Sequence, residues 1–412
     1  MNLKNSLYKV EPGSFHAVIE LPTSKSYANR ALIIGAIRGG GFKINHLPDS
    51  TDVLTMLDCL EKAGLKIRRT DSSVVFTNSF PQCESETAGD TVDLHTGDGG
   101  TTNRFLMALL ARGKKTYRFF PSEKMSERPM EDLLKPLRDL NVDVAVNRNG
   151  AWIEIKGPAS MQNTSRLEID CGKSTQFASA MMLAFSNLPL TVVPVNVKAS
   201  ETYLEMTKFI LAESLKKNSL DVPVDFSSLS YPLALALVDG KVLITNCHEK
   251  DVYQSDSAFI DIAIAAGADL EWTGQGLRAS SKNRLKPFKV DGSRYPDLVP
   301  ALLFLASQIE GESVLTNLSV LRHKESDRLD ELMKIMTALS VPFQFDESRA
   351  EIKITGPSRP AAPAGLTTAR DHRMVMAAYL FLRTGAGGTV AHADCVNKSF
   401  PEFFQIMNGV TK

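Results

Sequence analysis

The chain has 412 residues, with 47 Lys+Arg balancing 47 Asp+Glu, so its formal net charge is zero. That balance excludes a global electrostatic pull toward nucleic acid or an anionic membrane and leaves room only for a local charged cleft. At 43% hydrophobic and 23% charged, the composition is globular, and the length suits two or three domains.

The first residues, Met1 to Glu11, contain no apolar stretch and no small-residue cleavage site, so no secretory leader is expected. The longest apolar run, Leu298 to Ala306, is about nine residues, whereas a bilayer span needs about 20. Cys59, Cys83, Cys171, Cys247 and Cys395 are odd in number and widely spaced. They read as free thiols of a cytoplasmic protein.

In chain order, one pattern then recurs six times. A small, polar segment leads into an apolar helix-like run near Ser24, Gly97, Gly172, Asp225, Asp291 and Arg370. Each run is followed by a second, amphipathic helix pattern with apolar residues at i, i+3, i+4 and i+7. The six are TDVLTMLDCLEKAG, RPMEDLLKPLRDL, ETYLEMTKFILAESL, SDSAFIDIAIAAG, ESDRLDELMKIMTAL and FPEFFQIMNGV. Short alternating strands close several copies, at Leu65–Ile67, Val142–Val146, Ala151–Ile155 and Glu351–Ile354. The spacing therefore predicts an α/β protein of six β-α-β-α-β-β units, each about 70 residues long. A unit that small cannot hold a core alone, so three and three make two domains.

The small-residue segments carry the chemistry. A helix start offers free N–H groups and a partial positive charge, and small residues let an anion approach them. Cations gather there: Lys25 and Arg30, Arg104 and Arg128, Arg322, Lys324 and Arg328, Arg373 and Lys398. Converging on one cleft, they would repel each other unless an anionic ligand bound. The alternating charges from Lys324 to Arg328 also suit an exposed helix start, and Ser174-Thr175-Gln176 also suits a plain cap. The Gly97–Thr102 loop lacks the GK[ST] of a phosphate-binding P-loop, and no dinucleotide fingerprint is present. The seven histidines show no HxxxH or HExxH spacing, so neither a metal nor another cofactor is expected.

Taken together, the motifs resemble the 5-enolpyruvylshikimate-3-phosphate synthase family over nearly the whole chain. The matching stretches are Ser24 to Leu32 (SKSYANRAL), Gly100 to Arg104 (GTTNR) and Glu127 to Pro129 (ERP). They continue with Leu321 to Leu329 (LRHKESDRL), Asp371 to Met374 (DHRM) and Lys398 to Pro401 (KSFP). The resemblance implies a two-domain enolpyruvyl transferase fold, an inside-out α/β barrel with three repeats per domain. One domain would be residues 23–223, and the other residues 1–22 plus 224–412, with the active site in the cleft between them.

It also implies a reaction: transfer of the enolpyruvyl group of phosphoenolpyruvate to the 5-hydroxyl of shikimate 3-phosphate, releasing phosphate. Lys25, Gly100, Thr101, Arg128, Gln176, Arg328, Arg373 and Lys398 would take phosphoenolpyruvate. Lys25, Ser26, Arg30, Ser174, Thr175, Gln176, Ser200, Tyr203, Asp297 and Lys324 would take shikimate 3-phosphate. Asp297 would accept the hydroxyl proton, and Glu325 with Lys25 would handle protons at the enolpyruvyl carbon. The partners implied are these two small molecules, with no nucleic acid and no membrane, acting on a monomer.

The related UDP-N-acetylglucosamine enolpyruvyl transferases carry a reactive Cys in a mobile loop, and the stretch from Arg112 to Arg128 contains none. A non-catalytic anion-binding relative would have lost some of these charged residues. Five positions depart from the family pattern: Asp98, Phe105, Lys124, Thr175 and Val320. Asp98 stands where Asn is usual, which puts a carboxylate beside the expected phosphate pocket, and Phe105 replaces a Pro.

Overall fold

Each of the six small-residue segments begins a helix. The computed structural model describes residues 6–86, 89–147, 152–162, 164–197, 201–359 and 365–409. The chain opens with β1 (Leu7–Val10), β2 (Phe15–Ile19), α1 (Lys25–Arg38), β3 (Phe42–Asn45), α2 (Thr51–Lys62), β4 (Ile67–Thr70) and β5 (Ser73–Phe76). It continues through β6 (Thr91–Gly97), α3 (Gly100–Leu110), β7 (Thr116–Pro121), α4 (Glu123–Ser126), α5 (Glu131–Asp139), β8 (Asp143–Asn147) and β9 (Trp152–Lys156). Next come β10 (Arg166–Asp170), α6 (Gln176–Ala184), β11 (Thr191–Val195), α7 (Thr202–Lys216), β12 (Ser219–Asp221), α8 (Phe226–Asp239) and β13 (Gly240–Ile244). Then follow α9 (Ala258–Ala265), β14 (Asp269–Thr273), β15 (Gly276–Ser280), β16 (Lys289–Asp291), α10 (Val299–Gln308) and β17 (Gly311–Thr316). The last elements are α11 (Arg328–Ala338), β18 (Phe343–Asp346), β19 (Glu351–Gly356), α12 (His372–Thr384), β20 (Gly388–Ala391) and α13 (Phe403–Met407).

The chain divides into two compact units, Thr23–Pro223 and Met1–Pro22 with Val224–Lys412. In the first, α1, α3 and α6 pack on one another and are buried almost all round, while α2, α5 and α7 are amphipathic. In the second, α8, α10 and α12 form the equivalent buried trio. Leu302, Leu303, Phe304 and Leu305 on α10 are fully buried, and each such side chain contributes about 1.5–3 kcal/mol of burial. The two helix types of the sequence pattern are thus an inner and an outer type.

Continuous β-α-β-α-β-β units form at residues 91–156 and 289–356. Their sheets have the orders β6-β7-β9-β8 and β16-β17-β19-β18, with one parallel pair and a hairpin. Two further four-stranded sheets recruit a distant strand. β12 joins β3 in parallel, with Leu220 opposite Ile44, and β2 joins β13 in parallel, with Val18 opposite Leu243. The third and sixth repeats depart from the predicted pattern. Among the described residues each has a two-stranded sheet, β10-β11 and β1-β20. The last strand of the third repeat, β12, completes the first sheet of its unit, while the sixth repeat's β20 pairs antiparallel with β1 from the start of the chain. The strand expected at Leu65 begins instead at Ile67, because Leu65 N–H is bound to the Leu60 carbonyl at the end of α2.

Candidate active site

In the unit Thr23–Pro223, Ser24 caps α1, accepting from Tyr27 N–H, which puts Lys25 and Ser26 in its first turn. Lys25 Nζ lies 2.9 Å from Asp52 Oδ2, and Asp52 is 4% exposed at the start of α2. Asn29, one turn along α1, donates to Thr101 Oγ1 at 2.7 Å, which ties α1 to the start of α3. Gly99 caps α3 without a side chain, so Gly100 and Thr101 present bare backbone. A Cβ on Gly100 would sit 2.8 Å from Arg128 Nη1 and 3.0 Å from Gln176 Oε1, so both side chains converge on that glycine. Arg104 is buried beside them. It donates to Gln176 Oε1 at 2.5 Å and to the Pro129 carbonyl at 3.0 Å, and its guanidinium lies over Phe177. Burial and the neighbouring Arg128 charge push its pKa well below that of an ordinary arginine.

Arg30 has a different setting from Lys25. It is 1% exposed and donates to Thr207 Oγ1 at 2.8 Å, Ser26 O at 2.7 Å and Tyr203 O at 3.3 Å. Burial lowers its pKa to about 10. Two of its five donors therefore brace α1 against α7 and a third returns to Ser26 within α1, which leaves one proton on each Nη for anything else. Phe105 and Tyr203 lie against the same guanidinium, at 5.3 and 5.6 Å. The Phe that stands in place of Pro thus packs on Arg30 and leaves α3 unbroken. Asp98 is exposed and accepts from Ser122 Oγ. Ser174 Oγ accepts from Gln176 N–H at 3.2 Å, Thr175 is buried, and α6 starts at Gln176. Ser200 lies outside the described residues.

The other unit gathers Asp297, Lys324, Glu325, Arg328, Arg373 and Lys398 with two residues of the DHRM stretch to which the sequence reading gave no site role, Asp371 and His372. Asp371 caps α12, accepting from Arg373 N–H. It also receives Arg328 Nε at 2.8 Å, with its side chain fully buried. Arg328 Nη1 reaches Asp297 Oδ1 at 2.6 Å, and Arg373 Nε approaches the same oxygen at 3.2 Å. Arg373 Nη1 also donates to the Asp297 carbonyl at 3.2 Å. Glu325 lies between Lys398, 3.2 Å from Oε1, and His372 Nδ1, 3.0 Å from Oε2.

These pairs fix the protonation states. Burial would raise the Asp297 carboxyl, but the charges of Arg373, Arg328 and Lys324 overcome it and hold the group far below the usual carboxylate range. Burial is likewise overcome at Glu325, by Lys398, His372 and Arg328, so that carboxyl is also held well down. Burial lowers the His372 pKa, and Glu325 restores it only in part. Both carboxylates are thus held toward the ionised form, and burial favours the neutral form of the imidazole.

The sequence pattern led us to expect cations without counter-charges, and the structure corrects that. Lys25 faces Asp52, Arg328 and Arg373 face Asp297, Arg328 also faces Asp371, and Lys398 faces Glu325. The reason is desolvation: charges at this depth persist only when paired. Asp52 was legible only as a helix-start residue and Asp371 as the first residue of the DHRM stretch, and both occupy positions that any helix favours. Oxygen and nitrogen atoms of Glu325, Asp371 and His372 come within 4.8 Å of one another, a spacing suited to a metal ion. Both carboxylates already face a cation, Lys398 or Arg328, so the trio serves as an ion-pair network.

Among the described residues no helix is long and apolar enough to cross a membrane. Cys59, Cys83, Cys171 and Cys247 are buried and Cys395 is half-buried.

A profile of the family described as EPSP synthase (3-phosphoshikimate 1-carboxyvinyltransferase) matches residues 10–214 and 211–407. A 3-phosphoshikimate 1-carboxyvinyltransferase of Pyrococcus abyssi is 30% identical over 406 residues, covering 94% of this chain and 93% of that protein. One from Shewanella halifaxensis is 28% identical over 428 residues, covering 95% and 96%. An EPSP synthase structure from Acinetobacter baumannii superposes with a TM-score of 0.77 at 23% identity, over 99% of each chain, and shares the fold. The chain therefore belongs to the EPSP synthase family of 3-phosphoshikimate 1-carboxyvinyltransferases.

Proposed function

We infer that this chain transfers the 1-carboxyvinyl group of phosphoenolpyruvate to the 5-hydroxyl of shikimate 3-phosphate and releases phosphate, as a step of aromatic amino acid biosynthesis. The observation that carries the reading is the Asp297 carboxylate clamped by Arg328 and Arg373, with Glu325 clamped beside it by Lys398 and His372. Two ionised acids, each held by groups that also suit an anionic substrate, match a reaction that moves protons at two places.

In the addition step, the 5-hydroxyl oxygen bonds to C2 of phosphoenolpyruvate, C3 gains a proton and the hydroxyl proton goes to a base. In the elimination step, C3 gives a proton back and the C2–O bond to phosphate breaks. Arg128, Arg328, Arg373 and Lys398 are assigned to the anionic ends of phosphoenolpyruvate. Ser26, the Ser174-Thr175-Gln176 turn, Tyr203 and Lys324 are assigned to shikimate 3-phosphate, with Ser200 assigned on its sequence motif alone. Arg30 supports the second group through Ser26 and Tyr203.

Asp297 is a weak base while two arginines hold it. A substrate carboxylate that takes Arg328 and Arg373 removes that hold, so its basicity rises as the substrate binds. Glu325, ionised at rest, suits removal of the C3 proton in the elimination, which leaves Lys25 as the donor in the addition.

The direct test is phosphate release from phosphoenolpyruvate with shikimate 3-phosphate and UDP-N-acetylglucosamine offered side by side. Release with the first acceptor alone is expected; release only with the second would reassign the substrate. Asp297→Ala should cost at least about a hundredfold in turnover, and a loss of tenfold or less would transfer the base role elsewhere. Gly100→Ala forces Arg128 and Gln176 off their positions. It should raise the KM for phosphoenolpyruvate about tenfold, raise the KM for shikimate 3-phosphate less, through Gln176, and keep the fold, since alanine favours a helix. An unchanged phosphoenolpyruvate KM would remove Gly100 from that pocket. We also propose a cytoplasmic monomer, and sedimentation equilibrium at assay concentration would expose a dimer.

A further inference from the structure

Arg322 belongs by sequence to the same charged stretch as Lys324 and Arg328, yet the reaction scheme leaves it unused. It lies at the end of the short 3-10 helix Leu318–His323, and α11 starts at Arg328. Lys324 to Asp327 form the loop between them. Among the described residues, the ion-pair partners of Arg322 are Asp327 and Glu347, and neither Asp297 nor Glu325 is one of them.

Arg322 Nη1 donates to Asp327 Oδ2 at 3.1 Å, which closes the loop at its base. The other oxygen of Asp327 caps α11, accepting from Asp330 N–H at 3.0 Å. Arg322 Nη2 donates to both carboxylate oxygens of Glu347, at 2.9 and 3.1 Å. Glu347 stands in the turn between β18 and β19, and the Ala350 carbonyl of that turn accepts from Leu318 N–H at 2.9 Å. One arginine therefore fastens the loop to a helix start and to a sheet. Within the loop, Glu325 lies between Lys398 and His372, and Ser326 Oγ donates to Asp371 Oδ2 at 3.1 Å.

The ion pair with Lys398 holds Glu325 only while that carboxyl is ionised. Once it has taken the C3 proton it is neutral, and the Coulomb attraction of Lys398 is lost. The group must nevertheless stay in place, because small misplacements of a reacting group are costly. Arg322, Asp327 and Glu347 exchange no proton in the reaction as written, so their contacts persist through it.

We propose that Arg322 is a positioning residue: by clasping the loop at Asp327 and tying it to Glu347, it holds Glu325 in place while that carboxyl carries the proton. The proposal rests on the role given above to Glu325. Arg322 and Glu347 are partly exposed, and exposed ion pairs add little to stability. The clasp therefore shows in turnover and not in unfolding.

The test is Arg322→Met in the full-length protein, with Arg322→Lys and Glu347→Gln as milder changes. Arg322→Met should lower kcat about tenfold, a loss suited to a misplaced catalytic group. It should raise the KM for shikimate 3-phosphate, through Lys324, more than that for phosphoenolpyruvate. Arg322→Lys, whose ammonium can still reach one carboxylate, should recover part of kcat, and Glu347→Gln should lower it less than Arg322→Met. The urea midpoint of each variant should stay near that of wild type. An unchanged kcat in Arg322→Met, or a loss fully matched by lost folded protein, overturns the proposal. A second measurement needs no turnover. Nitrogen-15 NMR follows the His372 ring, whose Nδ1 lies 3.0 Å from Glu325 Oε2. Glu325→Gln imitates the neutral carboxyl, and Arg322→Met added to it should move the His372 resonance further. Arg322→Met alone should move it less, because Lys398 still holds the ionised carboxylate. Equal His372 resonances in Glu325→Gln with and without Arg322→Met overturn the proposal. A wild-type protein inert toward both substrates would count against the proposed function, while the NMR comparison still decides the clasp.

Discussion

Replacing Arg328 by methionine should destabilise the protein by about 3–5 kcal/mol, because it strands buried carboxylates without their cation. Arg328 is 2% exposed and contacts Asp371 at 2.8 Å, Asp297 at 2.6 Å and Glu325 at 3.9 Å. Its own pKa is raised, since burial disfavours the charge but Asp371, Asp297 and Glu325 favour it more. Asp371 suffers most, because its side chain is fully buried and it also caps α12. Urea denaturation read by circular dichroism measures the loss. The double variant Arg328→Met/Asp371→Asn should recover part of it, since one stranded charge is removed and the amide oxygen can still cap. A single variant within about 1 kcal/mol of wild type would mean that water reaches the cluster and the pairing is worth little.

Turnover should fall about a thousandfold in Lys25→Met, the size of loss expected when a cation aimed at developing charge is removed. Lys25 is the first residue of α1, where its ammonium adds to the positive end of the helix. Its ammonium pairs with Asp52, at 2.9 Å. The substitution leaves the Asp52 carboxylate without that cation, so some stability is lost as well, and Lys25→Met/Asp52→Asn separates the two effects. The double variant should regain stability without regaining turnover. Phosphate release from either variant at near wild-type rate would remove Lys25 from the chemistry.

The contrast between these two residues shows how far a one-dimensional reading reaches. Lys25 and Arg328 both sit in charged motifs at helix starts, and both motifs read equally well as solvated surface. Burial separates them: the Lys25 side chain keeps 18% of its exposure, while Arg328 keeps 2%. Arg30 stands five residues from Lys25, yet it packs inward on Phe105 and Tyr203. Helical periodicity puts the two on different faces, but only the positions of α3 and α7 say which face is covered.

The six paired helices and their order were determined by the sequence by itself, because those features depend on local period and local chemistry. Asp225 and Ser24 cap where their positions before apolar runs indicate. The tertiary structure alone decided three things. β12 and β2 complete sheets whose other strands lie far away in the chain, and no local signal marks a partner at that distance. The acids Asp52 and Asp371 meet cations from other helices, so their importance comes from packing and desolvation, which the sequence does not display. The ionised resting state of Asp297 and Glu325 follows from the same cause, since a pKa belongs to an environment and not to a residue type.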